Sequence, residues 1–280
     1  MIDRDDDWRD RHNGIFYDRC LLPDFTNPEA VKWWKDRIVK IMQAGCAGIG
    51  MSDFGEDVPA DAYFHNGRSG EEMHNIYTLL YQKATFEAVE EGTGNRGLVN
   101  GRSGTAGLQR YPICWSGDPN SEWEDMLANM RAGLSMGLSG VPFWCADNGG
   151  YHGVVGHLTP ELWIRWSQWS MFQSHVRLDG SPPFRTPWNF GDEALENFRQ
   201  YAKLRYRLIP YIYSQAYEAT KSGLPTMRAM VPRISGRPEH TRFGRPVHVR
   251  RSISCRPRVH ARESPHGLPA GRHMVRLLDR

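Results

Sequence analysis

Patterns typical of helices and of short buried strands alternate along this chain, and the alternation limits the folds open to it. Apolar residues recur at helical spacing within 26–45 (Val31, Trp34, Ile38 and Met42), and AGIGMSD (47–53) predicts a short, fully buried strand. Further helices are predicted near 71–92, 121–136, 159–173 and 192–221, with strands at RGLVNGR, RYPICW and GVPFWC. Five or six such units without a GxGxxG fingerprint predict an α/β fold with a (β/α)8 barrel rather than a dinucleotide-binding sheet.

The composition is ordinary for a soluble globular protein, with 40% hydrophobic and 24% charged residues among 280. No apolar run approaches the roughly 18 residues of a membrane span, so we expect no membrane contact. The acidic start, MIDRDDDWRDRHNG, lacks the pattern of a signal peptide and favours a cytoplasmic location. The scattered positions of the five cysteines show no zinc-site spacing, so we expect buried free thiols and neither a metal nor a cofactor. These residues are Cys20, Cys46, Cys114, Cys145 and Cys255.

Polar side chains stand at the ends of the predicted strands. Asp53 ends the first strand, Arg102 ends the next, and Trp115 and Asp147 end the following two, with Asp118 close behind Trp115. In a barrel, the carboxyl ends of the strands form the rim where active sites lie. A purely structural network of the same residues is the alternative. Glu56 and Asp57 lie past the strand end, so we expect these acids to cap the loop.

The two carboxylates Asp53 and Asp118 are predicted to face each other across the barrel mouth. Glycoside hydrolysis uses such a pair, one group acting at the anomeric carbon and the other protonating the leaving oxygen. The surroundings of Asp118, CWSGDPNSEWED, are rich in tryptophan and glycine, which suit a sugar ring and a close backbone approach.

Seven motifs, in order and spacing, resemble glycoside hydrolase family 31: DFTNPEA, SDFGE, GRSGTAG, WSGD, GLSGVPFW, DNGGY and SHVRLDG. Members of that family are retaining α-glycosidases. The resemblance implies that Asp53 is the nucleophile and Asp118 the general acid/base of an enzyme acting on oligosaccharides or other α-glycosides. Because such an acid must be protonated in the first step, we expect the pKa of Asp118 to be raised by an apolar and anionic setting. It also implies a pocket for the non-reducing sugar that is lined by Arg102, Trp115 and His175, with Asp147 at or near it.

The sugar stays open among three branches of the family. SDFGE resembles the α-xylosidase and sulfoquinovosidase forms of the nucleophile motif. Met51 stands where α-xylosidases tend to have lysine, whereas sulfoquinovosidases often have methionine there, and HNGRSGEEMHN also resembles them. SHVRLDGSPPFRTPW is more similar to the xylosidase and glucosidase branches. We expect an α-glucoside or α-xyloside substrate, and an inactive or carbohydrate-binding fragment is the alternative.

The resemblance covers roughly residues 14–232, so we expect a catalytic barrel domain at 1–232 that lacks the family's first strands, and a separate tail at 233–280. The tail holds twelve arginines, no lysine and three acids, about +9, against about −6 for the rest. The tail ends in LPAGRHMVRLLDR, whereas family members have LPAGTWYDYWTG at the corresponding place. With suitable codons, a single nucleotide sequence encodes both strings, in reading frames that differ by one nucleotide. We therefore predict an out-of-frame, disordered tail. An arginine-rich nucleic-acid arm is the alternative, although we expect no nucleic-acid partner.

Overall fold

The computed structural model describes residues 22–111, 113–153 and 158–228. Five helices and four strands lie in this part of the chain, in the order helix α1 (Pro28–Gln43), strand β1 (Ile49–Ser52), α2 (Gly70–Thr93), β2 (Val99–Gly101), β3 (Ile113–Trp115), α3 (Trp123–Leu138), β4 (Phe143–Cys145), α4 (Pro160–Ser170) and α5 (Asp192–Ser222). Two short 3₁₀ helices, Leu108–Arg110 and Pro187–Phe190, interrupt the connections.

The four strands form one parallel sheet in chain order, β1-β2-β3-β4. Ser52 pairs with Gly101, Gly101 with Cys114, and Trp115 with Cys145, so the carboxyl ends of all four strands lie at one edge. An isolated parallel bridge between Asp147 and Arg177 continues this edge beyond β4. The predicted α/β fold of parallel βα units is confirmed, with four strands in the described residues.

Local sequence signals explain where the helices begin and end. The Asn27 side chain accepts the backbone N–H of Glu29 at the start of α1, and Ser69 and Glu72 form a reciprocal capping box at the start of α2. At the start of α4, the Thr159 side chain accepts the backbone N–H of Leu162. Gly94 ends α2 in the left-handed conformation, which costs glycine little.

The prediction that β1 is fully buried is wrong. Only Ser52 is buried in this strand, and Met51 is 44% exposed. The physical reason is its place in the sheet, because within the described residues β1 has a neighbour on one side alone. The cysteine prediction is also wrong in part. Cys114 and Cys145 are buried free thiols, but Cys46 is exposed because it lies in the turn after α1.

The core is richest where α4 packs beside α5. Leu162, Trp163 and Trp166 of α4 are fully buried, and the Trp163 ring stacks on Phe190 at a centroid distance of 5.0 Å. Aromatic burial of this size contributes a large share of the stability of a domain. This cluster fixes the helical layer against which the polar edge of the sheet is built.

Other predictions fall outside the described residues. These concern the acidic N-terminus, Cys20, Cys255 and the whole arginine-rich tail at 233–280. Among the helices of the described segments, none has the length and apolar character required to cross a membrane.

Candidate active site

The turn after β1 holds Asp53 in a fixed position. Its carboxylate Oδ1 accepts the backbone N–H of Phe54 at 3.0 Å, and its backbone oxygen accepts the Tyr81 hydroxyl at 3.1 Å. Phe54 has a positive φ of 59°, a strained conformation for a non-glycine residue. The Ser103 hydroxyl donates to the Phe54 carbonyl at 2.8 Å, and a Cβ at Gly55 would meet that same hydroxyl at 2.8 Å. The motif SDFGE therefore needs glycine at 55.

Arg102 follows β2 and lies between three acidic side chains. Its Nη1 is 3.0 Å from Asp53 Oδ1 and 3.0 Å from Asp118 Oδ2, and its Nη2 forms a close ion pair with Glu56. The guanidinium carbon lies 4.4 Å from the centroid of the Phe54 ring, and only 11% of the side chain is exposed. The structure thus brings Asp53, Arg102 and Asp118 together at the sheet edge.

The shared nitrogen limits the separation of the two carboxylates. Because Asp53 Oδ1 and Asp118 Oδ2 each lie 3.0 Å from one nitrogen, they are no farther apart than twice that distance. Each side chain is about a third exposed, at 32% and 31%. Both carboxylates therefore reach solvent at one place.

The pKa of Asp118 is raised above the usual aspartate value, and the largest cause is burial. Arg102 opposes this rise by attracting the charged form, and the neighbouring Asp53 charge adds to it. The predicted direction, from an apolar and anionic setting, is confirmed. A carboxyl group held protonated to higher pH is suited to donate a proton.

A second cluster lies behind Trp115. Asp147 is fully buried, and Arg177 Nε lies 2.7 Å from its Oδ1, an ion pair by distance, although neither carboxylate oxygen has a well-aligned hydrogen-bond donor among the described residues. Burial raises the pKa of Asp147 to about 8, against the opposing effect of Arg177. Arg177 also pairs closely with Asp179 and lies with its guanidinium carbon 4.7 Å from the Trp115 ring centroid.

His175 lies half-buried beside this cluster as a neutral base. Its Nδ1 lies 2.9 Å from the Ser174 hydroxyl, and Nε2 has no hydrogen-bond partner among the described residues. Burial, together with the charges of Arg205 and Arg177, lowers its pKa to about 4. Arg205 fixes this segment by donating to three backbone carbonyls, among them that of Ser174 at 3.0 Å.

The places of Glu56 and Arg177 in the site were not predicted from the sequence. Glu56 was expected to cap its loop, whereas its carboxylate pairs with Arg102, because the turn at Phe54 and Gly55 brings it back over the sheet edge. Arg177 was not singled out, although its place inside the SHVRLDG motif was the available signal.

The family model that matches is the TIM-barrel domain of glycosyl hydrolases family 31, over residues 2–215. The chain belongs to glycoside hydrolase family 31. It is 38% identical over 209 residues to an α-xylosidase of Emericella nidulans, and 39% identical over 228 residues to a sulfoquinovosidase of Escherichia coli. A solved structure of a family 31 dextranase of Flavobacterium johnsoniae complexed with glucose superposes with a TM-score of 0.71 at 33% identity.

These similarities cover most of this chain but a small part of each relative. They span 74% of the chain and 26% of the α-xylosidase, 78% and 33% for the sulfoquinovosidase, and 77% and 29% for the dextranase. The chain therefore spans about a quarter to a third of the length of these relatives. Within the described part of this family 31 domain, no group of three or more metal-ligating side chains converges.

Proposed function

We propose that this chain carries the catalytic centre of a retaining α-glycosidase that hydrolyses terminal α-linked glycosides of the α-glucoside or α-xyloside class. Asp53 is the nucleophile and Asp118 the general acid/base. Arg102, Trp115, Asp147 and His175 form the side of the pocket that binds the sugar. The family membership supports glycoside hydrolysis, and the geometry of the two carboxylates supports the finer assignment.

The observation that carries this proposal is the nitrogen shared by the two carboxylates. Retaining glycosidases hold their carboxyl groups about 5–5.5 Å apart, whereas inverting enzymes need about 6.5–9.5 Å to admit a water. Asp53 Oδ1 and Asp118 Oδ2 lie within twice 3.0 Å of each other, which is compatible with the closer, retaining arrangement. Together with the family membership, two carboxylates held at one donor favour direct attack by one of them on the sugar over attack by an intervening water.

The chemistry follows from the contacts of each oxygen. Asp53 Oδ1 is held by Phe54 N–H and Arg102, so we assign Oδ2 as the atom that attacks the anomeric carbon. Asp118 donates its proton to the glycosidic oxygen as that bond breaks, and a glycosyl ester forms on Asp53. Asp118, now ionised, takes a proton from water, which attacks the same carbon and releases the sugar with its original α configuration.

The two roles are separated by the products that aryl α-glycosides give with azide. In Asp53→Ala, azide replaces the nucleophile and attacks from the opposite face, so the expected product is the β-glycosyl azide. In Asp118→Ala, an activated aryl substrate still forms the ester on Asp53, and azide intercepts it to give the α-glycosyl azide. Exchanged products would reverse the roles, and full hydrolysis by Asp53→Ala would refute the assignment.

A matched control and a set of sugars complete the test. Asp57→Ala removes an acid of the same loop that has no part in the proposed chemistry, and we expect this variant to hydrolyse aryl glycosides without azide. Aryl α-glucoside, α-xyloside and α-sulfoquinovoside are compared by kcat/KM. Preference for the sulfonated sugar would overturn the substrate class and leave the mechanism standing.

Saccharide binding without hydrolysis is a second candidate function. The observation that favours it is the edge position of β1, which has one neighbouring strand in the described residues and leaves Met51 44% exposed. Incomplete enclosure leaves water at the reacting centre and weakens the electrostatic interactions on which catalysis depends. Calorimetric binding of an α-glycoside by folded protein that releases no product would support this candidate over the enzyme.

A further inference from the structure

Glu56 reaches the guanidinium of Arg102 from the side that the two candidate catalytic carboxylates leave unused. Its Oε1 forms a close ion pair with Nη2, whereas Asp53 and Asp118 both contact Nη1 at 3.0 Å. The other oxygen, Oε2, is buried and has no hydrogen-bond partner among the described residues. The Glu56 side chain as a whole is 40% exposed, and the nearby charge of Arg102 offsets the cost of covering this one oxygen.

The guanidinium is consequently held from three directions. Glu56 engages Nη2, the pair of aspartates engages Nη1, and the Phe54 ring lies 4.4 Å from Cζ. Behind it, the stem of the side chain passes close to Gly117, where an added Cβ would lie 3.0 Å from Arg102 Cδ. A planar guanidinium with both terminal nitrogens engaged has one favourable orientation.

We propose that Glu56 is a positioning residue for the glycosidase reaction, which holds Arg102 by Nη2 so that Nη1 stays between Asp53 and Asp118. This inference rests on the proposed function, because it assigns Glu56 a part in setting the state of the candidate acid. Without Glu56, the Arg102 guanidinium could rotate and bind a single aspartate through both of its terminal nitrogens. The two carboxylates would then no longer share one donor.

In this proposal the charge of Glu56 also influences the protonation of Asp118, by acting on Arg102. The charged and titratable groups that act on Asp118 are Arg102, Asp53, His152 and Arg177, and Glu56 reaches it through Arg102. Burial disfavours the charged form of Arg102 and so acts to lower its pKa. The negative charges of Glu56, then Asp53 and Asp118, outweigh this effect, and the pKa of the guanidinium is raised. By partly neutralising Arg102, Glu56 leaves less positive potential at Asp118, which keeps that carboxyl protonated to higher pH.

The test is a pH titration of the Asp118 side-chain carboxyl by ¹³C NMR, with the signal assigned by its loss in Asp118→Asn. Glu56→Gln keeps an acceptor for Nη2 and removes the charge, so the pKa of Asp118 is expected to fall by roughly half a unit to one unit. Glu124→Gln removes an exposed acid of α3 and is expected to leave this pKa unchanged. An equal pKa in Glu56→Gln and Glu124→Gln would overturn the electrostatic part of the proposal.

A second measurement follows the orientation of Arg102 itself. In the wild type, rotation of its guanidinium is expected to be slow, with separate ¹⁵N-edited signals for the two NH2 groups, and in Glu56→Ala these signals are expected to merge. Signals that stay separate in Glu56→Ala would overturn the positioning role. Neither measurement requires turnover. Loss of the azide products would therefore refute the proposed function, whereas the role of Glu56 in holding Arg102 is tested by the two NMR measurements alone.

Discussion

Replacing Gly117 by alanine tests whether the backbone of the WSGD motif is what allows Asp118 to reach Arg102. Gly117 has a φ of +73°, and a methyl group there would lie 3.0 Å from Arg102 Cδ. Carbon atoms pack best at about 3.5–4.0 Å, so the arginine must shift by about half an ångström. The expected result is a variant that folds, with Arg102 displaced from Asp118.

The free energy of unfolding is expected to fall by about 3 kcal/mol. A side chain in the left-handed conformation costs about 1–2 kcal/mol. The hydrogen bond from Arg102 to Asp118, 3.0 Å long, contributes about 1.5 kcal/mol, the low end for a charged pair, because Asp118 is about a third exposed. The assay is urea unfolding at neutral pH.

Gly140→Ala is the matched control. Gly140 has a φ of +89°, and nothing lies within 4 Å of the position that its Cβ would take. This variant carries the conformational cost without the clash, so about 1.5 kcal/mol is expected. Equal losses in Gly117→Ala and Gly140→Ala would refute the argument, because the contact with Arg102 would then contribute nothing.

Three further predictions concern Asp147, His175 and the core residue Trp163. The folded-state pKa of Asp147, about 8, lies above the usual aspartate value of 3.8, so the folded state holds this proton more tightly than the unfolded chain and loses stability as pH rises between these two values. Urea unfolding should show that Asp147→Asn gains stability relative to the wild type from pH 5 to 7.5, and a stability difference that stays constant would contradict the burial. His175 has a lowered folded pKa of about 4 against 6.5, so stability falls as pH drops through this window, and in the same assay His175→Gln should remove that part of the acid sensitivity. Trp163→Ala should cost about 3–5 kcal/mol in urea, against under about 1 kcal/mol for Trp188→Ala, whose ring is 66% exposed, and similar losses would contradict the assigned core.

Much of the fold could be predicted because its signals are local. Asn27 and Ser69 occur where helices begin, and the apolar stripe through Ile38 and Met42 is the face that α1 buries. The burial of β1 could not be predicted in this way. A short apolar run has the same sequence pattern at the centre of a sheet and at its edge, and its neighbours decide its exposure.

The candidate site was predictable to the level of strand ends. Parallel strands in chain order bring Asp53, Arg102 and Asp118 to one edge, and the sequence places each of them just after a strand. Which acid meets which nitrogen of Arg102 depends on side-chain directions. Glu56 returns to the edge only because Phe54 and Gly55 both have positive φ, and a positive φ at phenylalanine has no sequence signal.

The balance of charge around Arg102 bears on whether these residues form only a structural network. Asp53, Glu56 and Asp118 face a single guanidinium, so full ionisation leaves negative charge uncompensated where solvent is partly excluded. A network formed for stability alone would gain by exchanging one acid for an amide, which keeps the hydrogen bond and removes the repulsion. The unbalanced arrangement instead favours a proton on one carboxyl, and burial makes Asp118 the one whose pKa is raised. A general acid needs that property, so the feature that costs stability is the one that the proposed glycoside cleavage would use.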